Sequence, residues 1–120
     1  MAKVEHRDFG TPDELREFAG GHADILNTGV GTIGRLVLEP GWQWSTSLKE
    51  VAGTEWCEAP HFQYHVSGVL RIQTADGTQL DAQPGQVTSL PAGHDAWVVG
   101  DEPVVVIDWY GASNYAKVAS

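Results

Sequence analysis

Residues 85–93 read Gly-Gln-Val-Thr-Ser-Leu-Pro-Ala-Gly, and this stretch indicates the fold more strongly than any other. It is a short apolar segment that lies between two turn sequences, Pro84-Gly85 before it and Pro91-Ala92-Gly93 after it. Similar segments follow one another at intervals of about eight to twelve residues, the spacing of all-β sandwiches and barrels. We predict strands at 23–28, 30–38, 61–66, 68–74, 78–82, 86–90, 95–99 and 103–110.

One of the turns between these strands has a specific sequence signal. Asp76-Gly77 lies between two apolar segments and predicts a hairpin turn of type I′, because both central residues of that turn need positive φ. No repeat, low-complexity tract or linker interrupts the pattern. We therefore expect a single domain over residues 1–120 with a barrel core at about 30–110.

The two ends of the chain carry helix signals. Residues 11–18 predict a short N-terminal helix, because Thr11 is a suitable cap, Pro12 suits the first helical position and Glu14 completes a capping box. The tail from Ala112 onward predicts a short closing helix.

The composition excludes several classes of function. Among 120 residues, 16 are acidic and 7 are Lys or Arg, which gives a formal net charge of −9. This charge repels a phosphate backbone, so we expect no nucleic-acid partner. The sequence has neither a membrane-spanning apolar segment nor a hydrophobic signal core, and its single cysteine, Cys57, forms no internal disulfide. We expect a cytoplasmic protein.

The segment 40–60 is irregular and rich in tryptophan. It contains Trp42, Trp44 and Trp56, together with Cys57. Two interpretations are open: a loop whose indoles cover the end of the core, or an aromatic wall that faces a ligand.

The next segment places polar side chains in a row. In a strand at 61–66, alternation puts His61, Gln63 and His65 on one face. Such a row is ordinary on a solvated surface. On an inward face, hydrogen bonds, water or a metal ion must satisfy it, because each unpaired buried polar group costs about 1–3 kcal/mol.

Candidate metal ligands lie around this row. His94 directly follows the turn at Pro91, and Cys57 and Glu55 precede the strand of His61. Thiolate and imidazole ligands suit zinc, iron, nickel or copper better than magnesium or calcium. Cys57, His61, His94 and Glu55 are therefore a candidate set of ligands, and the alternative is a metal-free polar pocket with an ordinary buried thiol.

These motifs resemble those of the cupins, which are small double-stranded β-helix barrels of the jelly-roll type. The segment from Gly85 to Gly93 matches the first half of the second cupin motif. Gly68 matches the glycine that closes the first motif, with residues 62–67 as the spacer. The resemblance covers residues 30–110 and implies an all-β jelly-roll barrel.

The resemblance also implies positions for metal ligands, although the residue types differ. His61 falls where the family has a glutamate, and Glu55 and Cys57 fall where it has two histidines. At the second motif, Ala96 falls at the family's histidine. His94 lies two residues earlier on the same strand face.

Two functions from different classes follow from the resemblance and the residues. The first is a metal-dependent enzyme of oxygenase, isomerase or lyase type, acting on a small organic molecule inside the barrel. In such an enzyme, His65 and Glu55 would move protons, and Gln63 and Trp97 would contact the bound ligand. An alternative interpretation of His65, as an ordinary core histidine bonded to a neighbour, is equally open. The second function is a non-catalytic module that binds or senses a small molecule.

The family resemblance further suggests a homodimer. In this interpretation the strand at 30–38 would add to the sheet of a second copy and cover an edge that otherwise invites pairing.

Overall fold

The computed structural model describes residues 3–58 and 60–110, and within them the chain is mostly β-strand. Two four-residue helices are present, α1 (Trp44–Ser47) and α2 (Lys49–Ala52). No helix in the described part of the chain has the length and apolar character needed to cross a membrane. The strands are β1 (Glu14–Phe18), β2 (Gly21–Thr28), β3 (Gly31–Leu38), β4 (His61–Ser67), β5 (Val69–Thr74), β6 (Gln79–Ala82), β7 (Val87–Leu90), β8 (His94–Val99) and β9 (Val104–Tyr110).

The strands form two antiparallel sheets. The larger sheet has the order β1-β2-β3-β9-β4-β7, and the smaller one has the order β6-β5-β8. Alternate residues of both sheets point inward and build one apolar core, which confirms the all-β prediction. Strand β3 pairs with β2 on one side and β9 on the other, so the expectation that residues 30–38 add to a second copy's sheet is wrong.

The predicted N-terminal helix is also wrong, because Glu14–Phe18 forms strand β1. The capping signals are local, whereas the strand is stabilised by its antiparallel pairing with β2, a tertiary contact that overrides them. Asp13 accepts hydrogen bonds from Arg7 and from the backbone N–H of Asn27 instead of capping a helix. The tail from Ala112 lies outside the described residues.

The hairpin at Asp76-Gly77 joins β5 and β6 as predicted, but the turn differs in type. The backbone N–H of Gly77 donates to the carbonyl of Thr74, and Thr74 pairs with Thr78 across a three-residue loop. Gly77 has φ 92°, which is the left-handed position that closes such loops. The Asp-Gly signal therefore located the hairpin but not the length of its loop.

The irregular segment that follows β3, residues 39–58, covers the edge of β8. Its two ends form isolated bridges to that strand, between Gln43 and Trp97 and between Cys57 and His94. The carboxylate of Asp95 accepts hydrogen bonds from the Gln43 side chain at 3.1 Å and from the Ser45 backbone at 3.0 Å. These contacts fix the segment against the smaller sheet and bring Cys57 to the first residue of β8.

Gly68, between β4 and β5, is expected to tolerate no side chain. It has φ 74°, and a Cβ there would lie 2.5 Å from the carbonyl oxygen of Pro103. Gly68→Ala should therefore lower the free energy of unfolding by about 3 kcal/mol, through backbone strain and overpacking together. Gly85→Ala is the matched control, because Gly85 has φ 88° with no atom near the added Cβ, and it should cost about 1 kcal/mol. Equal losses in urea unfolding would contradict this account.

Candidate metal centre

The polar row of β4 faces inward. His61, Gln63 and His65 are each at most 3% exposed, whereas Phe62 and Tyr64 between them are 49% and 39% exposed. Of the two alternatives that the sequence left open, the solvated row is therefore excluded. Each of these buried side chains needs a partner inside the fold.

Three of the predicted ligands come together at one end of this row. The ligand atoms of Cys57, His61 and His94 all lie within 4.8 Å of one another, and all three residues are buried. The Sγ of Cys57 is 3.8 Å from the Nε2 of His61. A tetrahedral zinc ion with bonds of about 2.3 Å to sulfur and about 2.0 Å to nitrogen would separate these atoms by about 3.5 Å. The cluster therefore has the spacing and the donor types of a transition-metal site.

The backbone holds Cys57 in place. Its N–H donates to the carbonyl of His94 at 2.8 Å, and its own carbonyl accepts from the N–H groups of Gly93 and His94. A residue of an irregular segment is thus fixed to the start of a strand, so the thiol has a defined position relative to the imidazole of His94.

Both histidines are oriented through their Nδ1 atoms. The Nδ1 of His94 lies 3.0 Å from the carbonyl oxygen of Pro91, to which it must donate because a carbonyl only accepts. The Nδ1 of His61 bonds to the carboxylate of Asp108. Each ring is thereby held with Nε2 as the ligating nitrogen, an arrangement typical of metal-binding histidines.

Asp108 is the site residue that sequence reasoning missed. It lies on β9, is completely buried, and its carboxylate also lies 3.4 Å from the backbone N–H of Phe62 and 3.4 Å from the side-chain amide of Gln63. A signal was present, because β9 is otherwise apolar and Asp108 shares the inward period of Val104 and Val106. A lone carboxylate at an inward position requires a buried partner.

Burial lowers the pKa of two of the interior histidines, His94 and His65. It lowers the pKa of His94 to about 4, with a smaller contribution from the nearby His61. Burial also lowers the pKa of His65, whose Nε2 is 2.9 Å from the hydroxyl of Thr88. Neutral imidazole is the form that binds a metal ion, so His94 is ready to ligate at neutral pH.

The metal-free protein should lose stability as the pH falls below the ordinary histidine pKa. His94 has a pKa of about 4 when folded and 6.5 as a model value, so the unfolded chain binds more protons between these values. Above pH 6.5 the neutral form of His94 dominates in both states, so it does not lower the free energy of unfolding. Between pH 7.5 and pH 5, His94 should lower the free energy of unfolding by about 2 kcal/mol. Urea unfolding with chelator present measures it. His94→Gln should reduce this loss and His22→Gln, a half-buried histidine outside the cluster, should not; an unchanged pH dependence in His94→Gln would contradict the assignment.

A small apolar cavity of about 20 Å³ lies beside the three ligands. Trp42 and Trp44 are among its walls, so the segment 40–60 both covers the core and faces the cavity. The indole N–H of Trp42 is buried and has no hydrogen-bond partner among the described residues. Besides Cys57, His61, Gln63 and His94, the cavity is lined by Leu36, Leu38, Trp42, Trp44, Leu70, Ile72, Leu90, Ala96 and Val106.

Some predicted site residues do not reach this cavity. Glu55 lies 3.0 Å from Lys49 with its side chain 75% exposed, so it stands apart from the cluster. Trp97 alternates with the inward Ala96 and Val98 and therefore faces the other side of its sheet. His65 lies on the inward face but bonds to Thr88 and is absent from the cavity wall.

The fold of the chain is similar to that of several solved structures. No protein-family model and no curated protein matches the chain. Among solved structures, a mutant of Bacillus subtilis oxalate decarboxylase is 25% identical over 82% of this chain, with a TM-score of 0.61. This chain spans only 28% of the length of that protein.

Two further structures are similar over most of their own length. A cupin-like protein from Thermotoga maritima is 20% identical, with a TM-score of 0.57, over 85% of this chain and 75% of its own. A Vibrio parahaemolyticus protein of unknown function is 14% identical, with a TM-score of 0.59, over 81% of this chain and 96% of its own. At these identities, the likeness shows the fold alone.

Proposed function

From the cupin-like fold of the chain, we propose that it is a metal-dependent protein that binds and transforms a small organic molecule inside the barrel. The observation that carries the proposal is the convergence of Cys57, His61 and His94 beside an interior cavity. Cys57 would supply a thiolate, and the two histidines would supply neutral imidazoles. This donor set suits zinc or iron among the divalent transition metals.

The remaining residues would support the ion and its ligand. A bound ion would polarise an oxygen-bearing or other donor group of the substrate. Asp108 would hold the ring of His61, and Gln63 would present its amide to both Asp108 and the cavity. Glu55 is exposed and pairs with Lys49 outside the cavity wall, so a proton would have to move through a group other than this carboxylate.

Cobalt provides the test of this proposal, because its absorption reports both the ligand type and the coordination number. Titration of the metal-free protein with Co²⁺ should end near one equivalent and give a thiolate charge-transfer band in the near ultraviolet. Cys57→Ser should lose that band, whereas Ser47→Ala, in helix α1, should keep it. A protein that takes up no cobalt, or binds it without the thiolate band, would contradict the proposal.

A non-catalytic role in binding or sensing a small molecule is the second candidate. It is favoured by one observation, namely that neither His65 nor Glu55, the predicted proton carriers, lies in the wall of the cavity. Tryptophan fluorescence, measured against candidate metabolites together with product formation, separates the two functions. Saturable quenching without product supports binding alone, and turnover supports the enzyme.

We also propose a homodimer, formed through the outer face of β9, β4 and β7. Among the described residues, this outer sheet face carries no charged side chain; besides Ser89, its exposed residues are Phe62, Tyr64, Val66, Val87 and Trp109. About half of each side chain is exposed, which is on the order of 400 Å² of apolar surface. A standard interface buries about 800 Å² on each partner, so the face supplies the centre of one. In a chain of net charge −9, an uncharged face is also where two copies meet with least repulsion.

Light scattering after size exclusion tests the dimer. The wild type should elute with the mass of two chains, and Trp109→Ser combined with Phe62→Ser should shift it towards one chain. Leu80→Ser is the control, since Leu80 is 38% exposed but lies on the other sheet. A monomeric wild type, or a dimer that the double variant leaves intact, would contradict the proposal.

A further inference from the structure

In the part of the chain that the structure describes, no lysine or arginine lines the cavity beside the three ligands. Among the described residues, four arginines instead form ion pairs with acidic side chains away from it; examples are Arg71 with Asp81 and Arg35 with Asp24. Lys49 lies against Glu55 on the surface. An anionic substrate in the cavity would therefore have only the metal ion itself as a counter-charge.

The charge of a divalent ion is already matched by the chain. The thiolate of Cys57 and the carboxylate of Asp108 carry one formal negative charge each, and Asp108 bonds directly to the ligand His61. The ion with these groups is formally neutral. An uncharged ligand would keep it neutral, whereas an anion would leave a buried and uncompensated negative charge, which is strongly disfavoured.

The size of the cavity restricts the ligand further. A cavity volume of about 20 Å³ leaves room only for a small ligand, and most of the wall is aliphatic or aromatic. The ligand must therefore be small and able to leave water for apolar surroundings.

We propose that the interior site takes a small uncharged ligand and discriminates against small carboxylates, including oxalate. This inference rests on the proposed metal site and adds the chemical class of its ligand. It separates the chain from its structural neighbours named oxalate decarboxylase, with which it shares the fold.

The cobalt-loaded protein allows a matched comparison of charge. Methyl isocyanide and azide are linear ligands of the same heavy-atom count, the first neutral and the second anionic. Methyl isocyanide should change the visible cobalt bands with saturation, and azide, acetate and oxalate should leave them unchanged at the same concentrations. Asp108→Asn removes one negative charge beside His61, so it should strengthen azide binding tenfold or more. Asp81→Asn, on the surface, should have no effect on it.

The outcomes separate this inference from the function on which it rests. A protein that binds no cobalt overturns the proposed function and the inference with it. Cobalt-loaded protein that binds azide or oxalate more tightly than methyl isocyanide overturns the inference alone. If none of the probes changes the cobalt bands, the inference is also overturned, because no small ligand then reaches the ion.

Discussion

Asp108→Ala is expected to lower the free energy of unfolding by about 3–5 kcal/mol, even in metal-free protein. The reason is that the carboxylate is completely buried and bonds to the ring of His61. Its loss leaves a buried imidazole and the amide of Gln63 without their acceptor. Urea unfolding in the presence of chelator measures the effect, and Asp108→Asn should cost less because it keeps the volume and one oxygen.

The control for this prediction is Asp81→Ala. Asp81 also pairs with a basic side chain, that of Arg71, but both of these side chains are 37% exposed. An exposed ion pair contributes about 0–1 kcal/mol, so Asp81→Ala should change stability little. If both variants lose the same amount, burial of the Asp108 pair is not the cause.

Cys57→Ser is expected to weaken metal binding by at least a hundredfold, since it replaces a soft, ionisable thiol with a hydroxyl of similar shape. His61→Gln and His94→Gln should have effects of the same order, because each removes one of the three ligands. Competition with a chromogenic chelator measures the affinity. The stability of the metal-free Cys57→Ser protein should change much less than its affinity.

His22→Gln is the matched control for the two histidine variants. His22 lies 3.4 Å from Asp24 with its side chain 37% exposed, and it is not part of the cluster. Its replacement should leave the affinity unchanged. A similar loss in His22→Gln, or full affinity in Cys57→Ser, would show that the metal binds elsewhere.

The strands could be predicted from the sequence because their signals act over short distances. Turn residues bound each strand, and the alternation of β4 correctly placed His61 and His65 on one face, which the structure shows to be the inner one. The segment 11–18 failed because its capping signals compete with pairing to β2, which lies further along the chain. Local helix and strand propensities carry no information about which strand a segment will pair with.

Part of the candidate site was predictable from the sequence. Cys57 and His94 were both candidate ligands by residue type, but no sequence signal predicted the bridge that brings them together. Glu55 was placed by assuming an extended chain, but residues 53–56 are turn and bends, so alternation does not apply there. Trp97 was predicted to contact the bound ligand, but alternation along β8 places it on the face opposite to His94 and Ala96.

Asp108 shows what a list of motifs leaves out. No sequence motif relates it to the other site residues, and it lies 47 positions from His61. Only the pairing of β9 with β4 brings the two residues together. An acidic residue on the inner face of an apolar strand was nevertheless a reason to look for a buried partner.

Elemental analysis of the protein, purified without chelator and without added metal, shows directly whether the chain holds a metal ion. Close to one equivalent of a transition metal per chain is expected in the wild type. Almost none is expected in Cys57→Ser purified in parallel. A wild-type protein that is folded and free of metal, or a Cys57→Ser protein with the same metal content, would contradict the assignment of Cys57, His61 and His94 as a metal centre.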